Sequence, residues 1–380
     1  MRKLNLDANI TKSGSDTKIS IRLIGEGLPK EVQDGEIYIL LKGYTRFNER
    51  SLFDGLMFMF IFVAMKSFYV FEINGSVSRK ALRNVQIFQE AWACMLPEEY
   101  HICELRPLKI AAPSPLVGIK KDRSVSAFSS GLDATFLAIR QSRSESWSYP
   151  LRSCVMVQGF DVHFDNDGDF ERLARRVEPF LNSIKLKCYH VKTNIRKYEL
   201  QDWEHSFAAQ LAGVLHLFYH SNTSALIGSA KPYNSLIFPW GSTPATDYLL
   251  SGDGLEIIHD GAGFSRTEKA AVVADHQVGL KSIKVCWQGG DQAKNCGKCE
   301  KCIRTRLNFK AVGIDDVPCF DNSFEDSMIE KLDVRSYSQL NELETISEYC
   351  HRRELKAPWV DLLDEKIRQF SRILSEKDAR

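Results

Sequence analysis

The sequence predicts an α/β fold in the central part of the chain, built on a parallel sheet with helices on both faces. Short apolar segments alternate with amphipathic helical segments between residues 120 and 230. Such β-α-β-α-β alternation is typical of a parallel sheet. The chain of 380 residues is 44% hydrophobic and 26% charged, which is an ordinary globular composition with enough apolar side chains for a sizeable core.

The predicted elements of this central part follow one another at short intervals. Apolar runs predict four strands, at 124–128, 154–157, 187–191 and 225–228. Amphipathic segments predict three helices, one that ends at residue 140 and two that cover 170–184 and 203–219. We expect ligands to bind beyond the carboxyl ends of these strands, as they do in other sheets of this kind.

Residues 1–115 predict a separate α+β accessory domain. Alternating and apolar positions favour strands at 19–23, 37–41 and 68–73, and an amphipathic pattern favours a helix at 78–95. The apolar run 56–65 is too short to span a bilayer, and it predicts a buried helix with Asp54 as its N-cap. The segment 111–115 favours a domain boundary, because its two prolines interrupt regular structure.

Residues 116–315 make up the predicted central unit, and residues 316–380 predict a helical C-terminal extension, with its clearest helix at 361–374. Fifty basic and forty-nine acidic side chains leave a net charge of +1, so no global field favours nucleic acid or anionic lipid. The N-terminus has no apolar core of signal-peptide length. We expect a cytoplasmic protein without a membrane partner, and the sequence leaves its oligomeric state open.

Four cysteines near the end of the central unit have the spacing of a metal site. They follow the pattern C-x9-C-x2-C-x2-C within residues 286–302, which can bring four thiolates to the corners of a tetrahedron, the geometry that Zn²⁺ prefers. Ten cysteines in the whole chain are too few for a secreted disulfide scaffold. Reduced thiols or a disulfide pair in a flexible loop are the alternatives. The expected ligands of a structural Zn²⁺ are Cys286, Cys296, Cys299 and Cys302.

The turn after the first strand of the central unit has the features of a phosphate-binding loop. The sequence SSGLD (129–133) joins the strand directly to a helix. A glycine lets the backbone approach a ligand, and the free N–H groups at the positive end of the helix favour a pyrophosphate. Asp133 either caps the helix or faces a Mg²⁺ ion carried by a nucleotide; a plain βα turn is the alternative. The expected ligand contacts are Ser129, Ser130, Gly131, Leu132, Asp133 and Thr135.

This loop resembles the S-G-G-x-D-S loop of the PP-loop ATP pyrophosphatases, which activate a carboxylate or carbonyl oxygen by adenylation. Ser130 stands where the family usually has glycine, and Ala134 stands where serine is usual. Together with the downstream cysteines, the loop is similar to that of the 7-cyano-7-deazaguanine synthases, which use ATP and ammonia to convert 7-carboxy-7-deazaguanine to the nitrile. The resemblance covers residues 120 to 315 and is specific at the two motifs.

The resemblance implies a nucleotide site and a substrate site at the carboxyl edge of the sheet. ATP would lie across residues 129–133, with Gln158 and Gly159 beside the adenine. A helix capped by Ser265 carries Arg266 and Lys269, which are expected to neutralise charge as pyrophosphate leaves and which join Asp133 as predicted catalytic residues. The expected substrate contacts are Thr193, Asn194, Arg196, Ser242, Thr243 and Asp260.

The function that the resemblance implies is an ATP-dependent carbon–nitrogen ligase, with ATP and a small carboxylate as partners and with Mg²⁺ and structural Zn²⁺. One alternative is a related enzyme that attaches a deazaguanine-type base to a protein or nucleic-acid partner in a bacterial defence system, with residues 1–115 recognising the acceptor. Another is a non-catalytic nucleotide- or nucleic-acid-binding module, in which Ser130 and Ala134 mark a decayed active site.

Overall fold

The computed structural model describes residues 2–44, 51–112 and 123–378. In chain order its strands are β1 (Lys3–Ser13), β2 (Asp16–Gly25), β3 (Ile37–Lys42), β4 (Val70–Ser78), β5 (Glu104–Ala111), β6 (Ser124–Ala127), β7 (Leu151–Gln158), β8 (Lys187–Thr193), β9 (Ser224–Gly228) and β10 (Glu256–Asp260). Its helices are α1 (Lys30–Gln33), α2 (Leu52–Ser67), α3 (Arg79–Met95), α4 (Leu132–Ser142), α5 (Asp167–Ser183), α6 (Trp203–His216), α7 (Arg266–Ala274), α8 (Gln277–Ser282), α9 (Glu300–Lys310), α10 (Ser327–Glu330), α11 (Tyr337–Arg352) and α12 (Pro358–Asp378).

The described strands form one mixed sheet in the order β10-β9-β6-β7-β8-β3-β2-β1-β4-β5. Every pairing among β6 to β10 is parallel, which confirms the α/β prediction for the central part. Helices α2 and α6 share a core with one face of these strands, where Val125 and Val155 point. Helices α4, α5 and α7 share a second core with the opposite face, where Cys154 and Met156 point.

Residues 2–44 and 51–112 extend this sheet, because β3 pairs antiparallel with β8 and places Leu40 opposite Lys192. Strands β2, β1, β4 and β5 follow outward. Helix α2 is buried along most of its length, because it packs against both β4 and α6. Apolar residues of both halves therefore share one hydrophobic core, and the proposed boundary at 111–115 lies largely outside the described residues.

The C-terminal region is helical, as predicted. Helices α10, α11 and α12 pack around a third core, to which α9 contributes Leu307 and the later helices contribute residues such as Leu343 and Leu363. One side of helix α9 therefore packs in this third core, and the side that carries Phe309 packs in the second core. Within the described ranges, no helix combines the length and the apolar character that a membrane span needs.

Three local predictions were wrong. The N-cap of α2 is Ser51, whereas the buried carboxylate of Asp54 accepts a hydrogen bond from the Ser78 amide at 2.6 Å. Helix α6 ends at His216, because the chain tightens there into a 3₁₀ turn. The segment 241–269, whose Gly, Ser and Thr content predicts a long polar loop, contains β10, a short edge strand whose exposed and half-buried residues weaken the apolar signal.

Candidate functional site

The loop after β6 lies at the point where the order of the strands reverses. The chain passes from β6 outward to β7 and β8, and then returns to the other side of β6 as β9. In open α/β sheets a crevice forms outside the carboxyl ends of the two strands at such a point. Residues 128–131 follow β6 and residues 229–231 follow β9, so both segments border this crevice.

The loop presents free backbone donors at the start of α4. Gly131 is the N-cap residue, and no side chain caps the helix, so Asp133 lies in the first turn and is not the cap. Ser130 is buried and has φ of 60°, in the left-handed region that glycine adopts without a Cβ penalty. The position at which the PP-loop pattern has glycine therefore has a backbone conformation that favours glycine.

Asp133 accepts hydrogen bonds from two cations of α7. Arg266 Nη2 lies 2.8 Å from Asp133 Oδ2, and Lys269 Nζ lies 3.1 Å from Oδ1; Lys269 also donates to the carbonyl of Ser229. A capping box between Ser265 and Glu268 determines where α7 begins. Burial alone would raise the pKa of Asp133, but the charges of Arg266 and Lys269 outweigh it and hold that pKa below its usual value.

A second carboxylate, Glu342 of α11, lies among three cations. Glu342 Oε2 is 3.2 Å from Arg266 Nη1 and 3.1 Å from Arg304 Nη1, and Oε1 is 3.0 Å from Lys231 Nζ. Burial works against ionisation, but Arg266, Arg304 and Lys231 together lower the pKa of Glu342 to about 2. Arg304 also pairs with Glu300, at 2.7 Å.

A cavity of about 80 Å³ opens beside this network, between the loop and α9. Its lining includes Ser129, Gly131, Arg266, Lys301 and Arg304. The ammonium group of Lys301 makes no hydrogen bond or ion pair with another described residue. The network and the cavity lining contain five cations and three carboxylates, an excess of two positive charges: Lys231, Arg266, Lys269, Lys301 and Arg304 against Asp133, Glu300 and Glu342.

The four predicted cysteine ligands lie together. Cys286 Sγ is 3.8 Å from Cys299 Sγ, and Cys296 Sγ is 3.9 Å from Cys302 Sγ; all four sulfurs lie within 4.8 Å of one another. Tetrahedral zinc with Zn–S bonds of about 2.3 Å requires S···S distances of about 3.8 Å. The cluster could therefore hold a metal ion such as zinc, with four sulfurs leaving no open coordination position.

Hydrogen bonds orient this cluster relative to α9. Asn295 Oδ1 accepts from the amide of Cys286 at 3.2 Å, and Cys296 Sγ accepts from the amide of Cys299 at 3.3 Å. Cys299 is the N-cap residue of α9, and Cys302 lies in the first turn. A metal bound here would hold the start of the helix that brings Lys301 and Arg304 to the cavity.

The other residues predicted for nucleotide contact lie outside the cavity lining. Gln158 Nε2 donates to Asp167 Oδ1 at 2.8 Å. Gly159 has φ of 105°, and a Cβ there would collide with the carbonyl of Thr193. The hydroxyls of Ser130 and Thr135 are buried without a hydrogen-bond partner among the described residues.

The predicted substrate residues bond to other parts of the protein. Thr193 Oγ1 donates to the Tyr38 carbonyl at 2.7 Å, and Asn194 Nδ2 donates to that of Glu36 at 2.8 Å, which joins the end of β8 to β3 and the turn before it. Arg196 stacks on the Trp203 ring, 4.0 Å from its centroid.

The remaining three predicted substrate residues also have protein partners. Ser242 Oγ and the Thr243 amide donate to Asp247, and Asp260 accepts from Gln141 at 3.0 Å. None of the predicted substrate residues lines the cavity.

Sequence reasoning missed five residues of the charged network. Glu300, Lys301 and Arg304 had a local signal, because they lie around the last cysteine ligand on a helix that begins there. Lys231 had a weaker signal as a cation just after a predicted strand. Glu342 had none, because its role depends on contacts with residues 38 to 111 positions away.

Comparisons with known proteins leave the chain without an assigned relative: no family model matches it, and neither do curated proteins or solved structures.

Proposed function

We propose that this protein is an ATP-dependent carbon–nitrogen ligase of the PP-loop type, which adenylates a carboxylate and transfers the acyl group to a nitrogen nucleophile. The observation that carries the proposal is the excess of two positive charges around the loop after β6, at the switch point of the sheet. A buried excess of cations next to free helix N–H groups favours a polyanion.

The residues present fit the phosphates of a nucleotide. The cavity of about 80 Å³ has room for a phosphate group, because one water molecule needs a cavity of only about 10–15 Å³. The rest of the nucleotide would lie in the open crevice. Asp133 is the carboxylate in the cavity lining, and both its oxygens pair with cations. Mg²⁺ would therefore be held mainly by the phosphates.

In the proposed reaction, a carboxylate oxygen of the substrate attacks the α-phosphorus of ATP, and the bond from that phosphorus to the β-phosphate oxygen breaks. Arg266, Lys301 and Arg304 would stabilise the negative charge that develops on the departing pyrophosphate. A nitrogen nucleophile then attacks the acyl carbon and displaces AMP, which gives an amide when the nucleophile is ammonia. For the nitrile, the amide oxygen attacks the α-phosphorus of a second ATP and releases pyrophosphate, and loss of AMP and a proton then leaves the carbon–nitrogen triple bond. The carboxylate that we would test first is 7-carboxy-7-deazaguanine, with ammonia as nucleophile.

The test is a turnover assay with α-labelled ATP on the metal-loaded protein, with 7-carboxy-7-deazaguanine and ammonium each present or absent. We expect AMP that depends on the carboxylate, together with the nitrile. Formation of AMP without free nitrile would point to attachment of the base to a macromolecule. If no AMP forms with this carboxylate or with a panel of others, the adenylation proposal is wrong, and a binding module is favoured.

The variant that tests the site is Asp133→Asn, which keeps the size of the side chain but removes the charge that aligns Arg266 and Lys269. We expect AMP formation to fall by about 10²-fold, as for other losses of electrostatic preorganisation. Asp260→Asn is the matched control: Asp260 ends β10 at the same edge of the sheet but lies outside the cavity lining. Equal losses in both variants would argue against the placement of the site.

A further inference from the structure

We propose that Glu342, supplied by the C-terminal helix α11, is an internal counter-ion that competes with bound phosphate for Arg266 and Arg304. The C-terminal region would then set how tightly the site holds pyrophosphate. The inference rests on the proposed phosphate site, but it concerns a different part of the chain and a different measurement.

The geometry shows that Glu342 shares the cations of the site. Arg266 uses one edge of its guanidinium for Asp133, at 2.8 Å, and its Nη1 for Glu342, at 3.2 Å. Arg304 is divided in the same way between Glu300, at 2.7 Å, and Glu342, at 3.1 Å. Both arginines also line the cavity. A phosphate group bound there would therefore compete with Glu342 for the guanidinium N–H donors.

The carboxylate is held firmly in this position. On the same helix, Leu340, Leu343 and Ile346 are buried in the third core. Lys231 bonds to α11 at two further points, the Ser338 carbonyl at 2.8 Å and Asn341 Oδ1 at 3.1 Å. Because Glu342 cannot easily turn away, its charge acts continuously on whatever anion binds beside it.

A pyrophosphate product carries several negative charges and leaves slowly from a strongly cationic site. With Glu342 in place, the cations of the network and the cavity lining exceed the carboxylates by two charges. Without Glu342 the excess would be three. Opposite charges a few ångströms apart in a partly buried site attract strongly. In this way the C-terminal helix keeps the affinity for pyrophosphate low enough for its release.

The experiment is calorimetric titration of inorganic pyrophosphate into the metal-loaded full-length protein at low salt. In Glu342→Gln, which is nearly isosteric, we expect the dissociation constant of pyrophosphate to fall by about tenfold or more relative to the wild type. The control is Glu344→Gln, because Glu344 is a half-buried carboxylate of the same helix that makes no ion pair with Arg266 or Arg304 among those described. It should leave the affinity within about twofold.

Circular dichroism establishes whether each variant is folded. If Glu342→Gln is not folded, Glu342→Met, an apolar replacement of similar size, takes its place in the titration. Unchanged or weaker binding in the folded variant would overturn the inference while leaving the phosphate site intact. Binding by the variant alone would support it strongly. Absence of binding in every protein would overturn both this inference and the proposed phosphate site.

Discussion

His216 shows how one buried ionisable residue links the stability of this fold to pH. Its imidazole is completely buried at the end of α6, and Nε2 lies 2.9 Å from the carbonyl of Leu250. Nδ1 has no hydrogen-bond partner among the described residues. Burial lowers the pKa of His216 to about 4, so the folded protein keeps this ring neutral.

We expect acid to destabilise the protein through this residue. An unfolded histidine takes up a proton near pH 6.5, whereas folded His216 resists protonation until about pH 4. The contribution of His216 to the free energy of unfolding is therefore complete above pH 6.5. It is lost as the pH falls from 6.5 to 4, by about 3 kcal/mol in total. Urea unfolding at pH 7 and pH 4.5 should show that the free energy of unfolding decreases less between these two pH values in His216→Gln than in the wild type. An unaltered decrease would contradict this, and the exposed His220→Gln is the control.

At the scale of elements, the crossing of α2 and α6 depends on two glycines. A Cβ on Gly213 would lie 2.8 Å from the Gly55 carbonyl oxygen and 2.8 Å from Met59 Cε, and a Cβ on Gly55 would lie 2.7 Å from the Gly213 carbonyl oxygen. Real Cβ atoms do not approach so closely, so the glycines allow these two helices, which lie far apart in sequence, to come into contact.

Gly213→Ala should therefore destabilise the protein although alanine favours helices. We expect the free energy of unfolding to fall by up to about 2 kcal/mol, because overpacking costs about 1–3 kcal/mol and the gain in helix propensity offsets about 1 kcal/mol of that cost. Gly168→Ala in α5 is the control, since the nearest atom to its Cβ is a flexible Arg172 nitrogen at 3.9 Å. Chemical denaturation compares them, and similar effects in both would refute the argument.

The cluster of Cys286, Cys296, Cys299 and Cys302, which could hold a metal ion, adjoins the start of α9. In Cys302→Ser we expect the bound metal to be lost, the free energy of unfolding to fall by about 3 kcal/mol or more, and pyrophosphate binding to weaken, because Lys301 and Arg304 lie at the start of α9. Atomic emission, thermal unfolding and calorimetry measure the three effects. Cys319→Ser is the control, because Cys319 is buried nearby but lies outside the cluster. Full metal content in Cys302→Ser would contradict the assignment.

At the scale of the whole molecule, the described residues before 113 are joined to residues 123–378 by the β3–β8 pairing and by the shared core around α2. Either part alone would expose an unpaired strand edge and the apolar surface of that core, which promotes aggregation. We expect fragments 1–112 and 123–380 to be insoluble when each is expressed alone and to co-purify when expressed together.

The control for this experiment is the full chain, and the readout is size-exclusion chromatography of the soluble fraction. Either fragment alone as a folded monomer would show that the two parts are independent.

The sequence by itself determined the features that depend on nearby residues. The four cysteines, the capping box at Ser265 and Glu268, and the α/β alternation of the centre are all visible within short windows, because metal spacing, helix caps and hydrophobic periodicity are local. Only the tertiary structure decided which strands join, how α2 meets α6, and that Glu342 reaches Arg266. Periodicity reports that an element is buried but not against what, and contacts between distant residues depend on the packing of the whole chain.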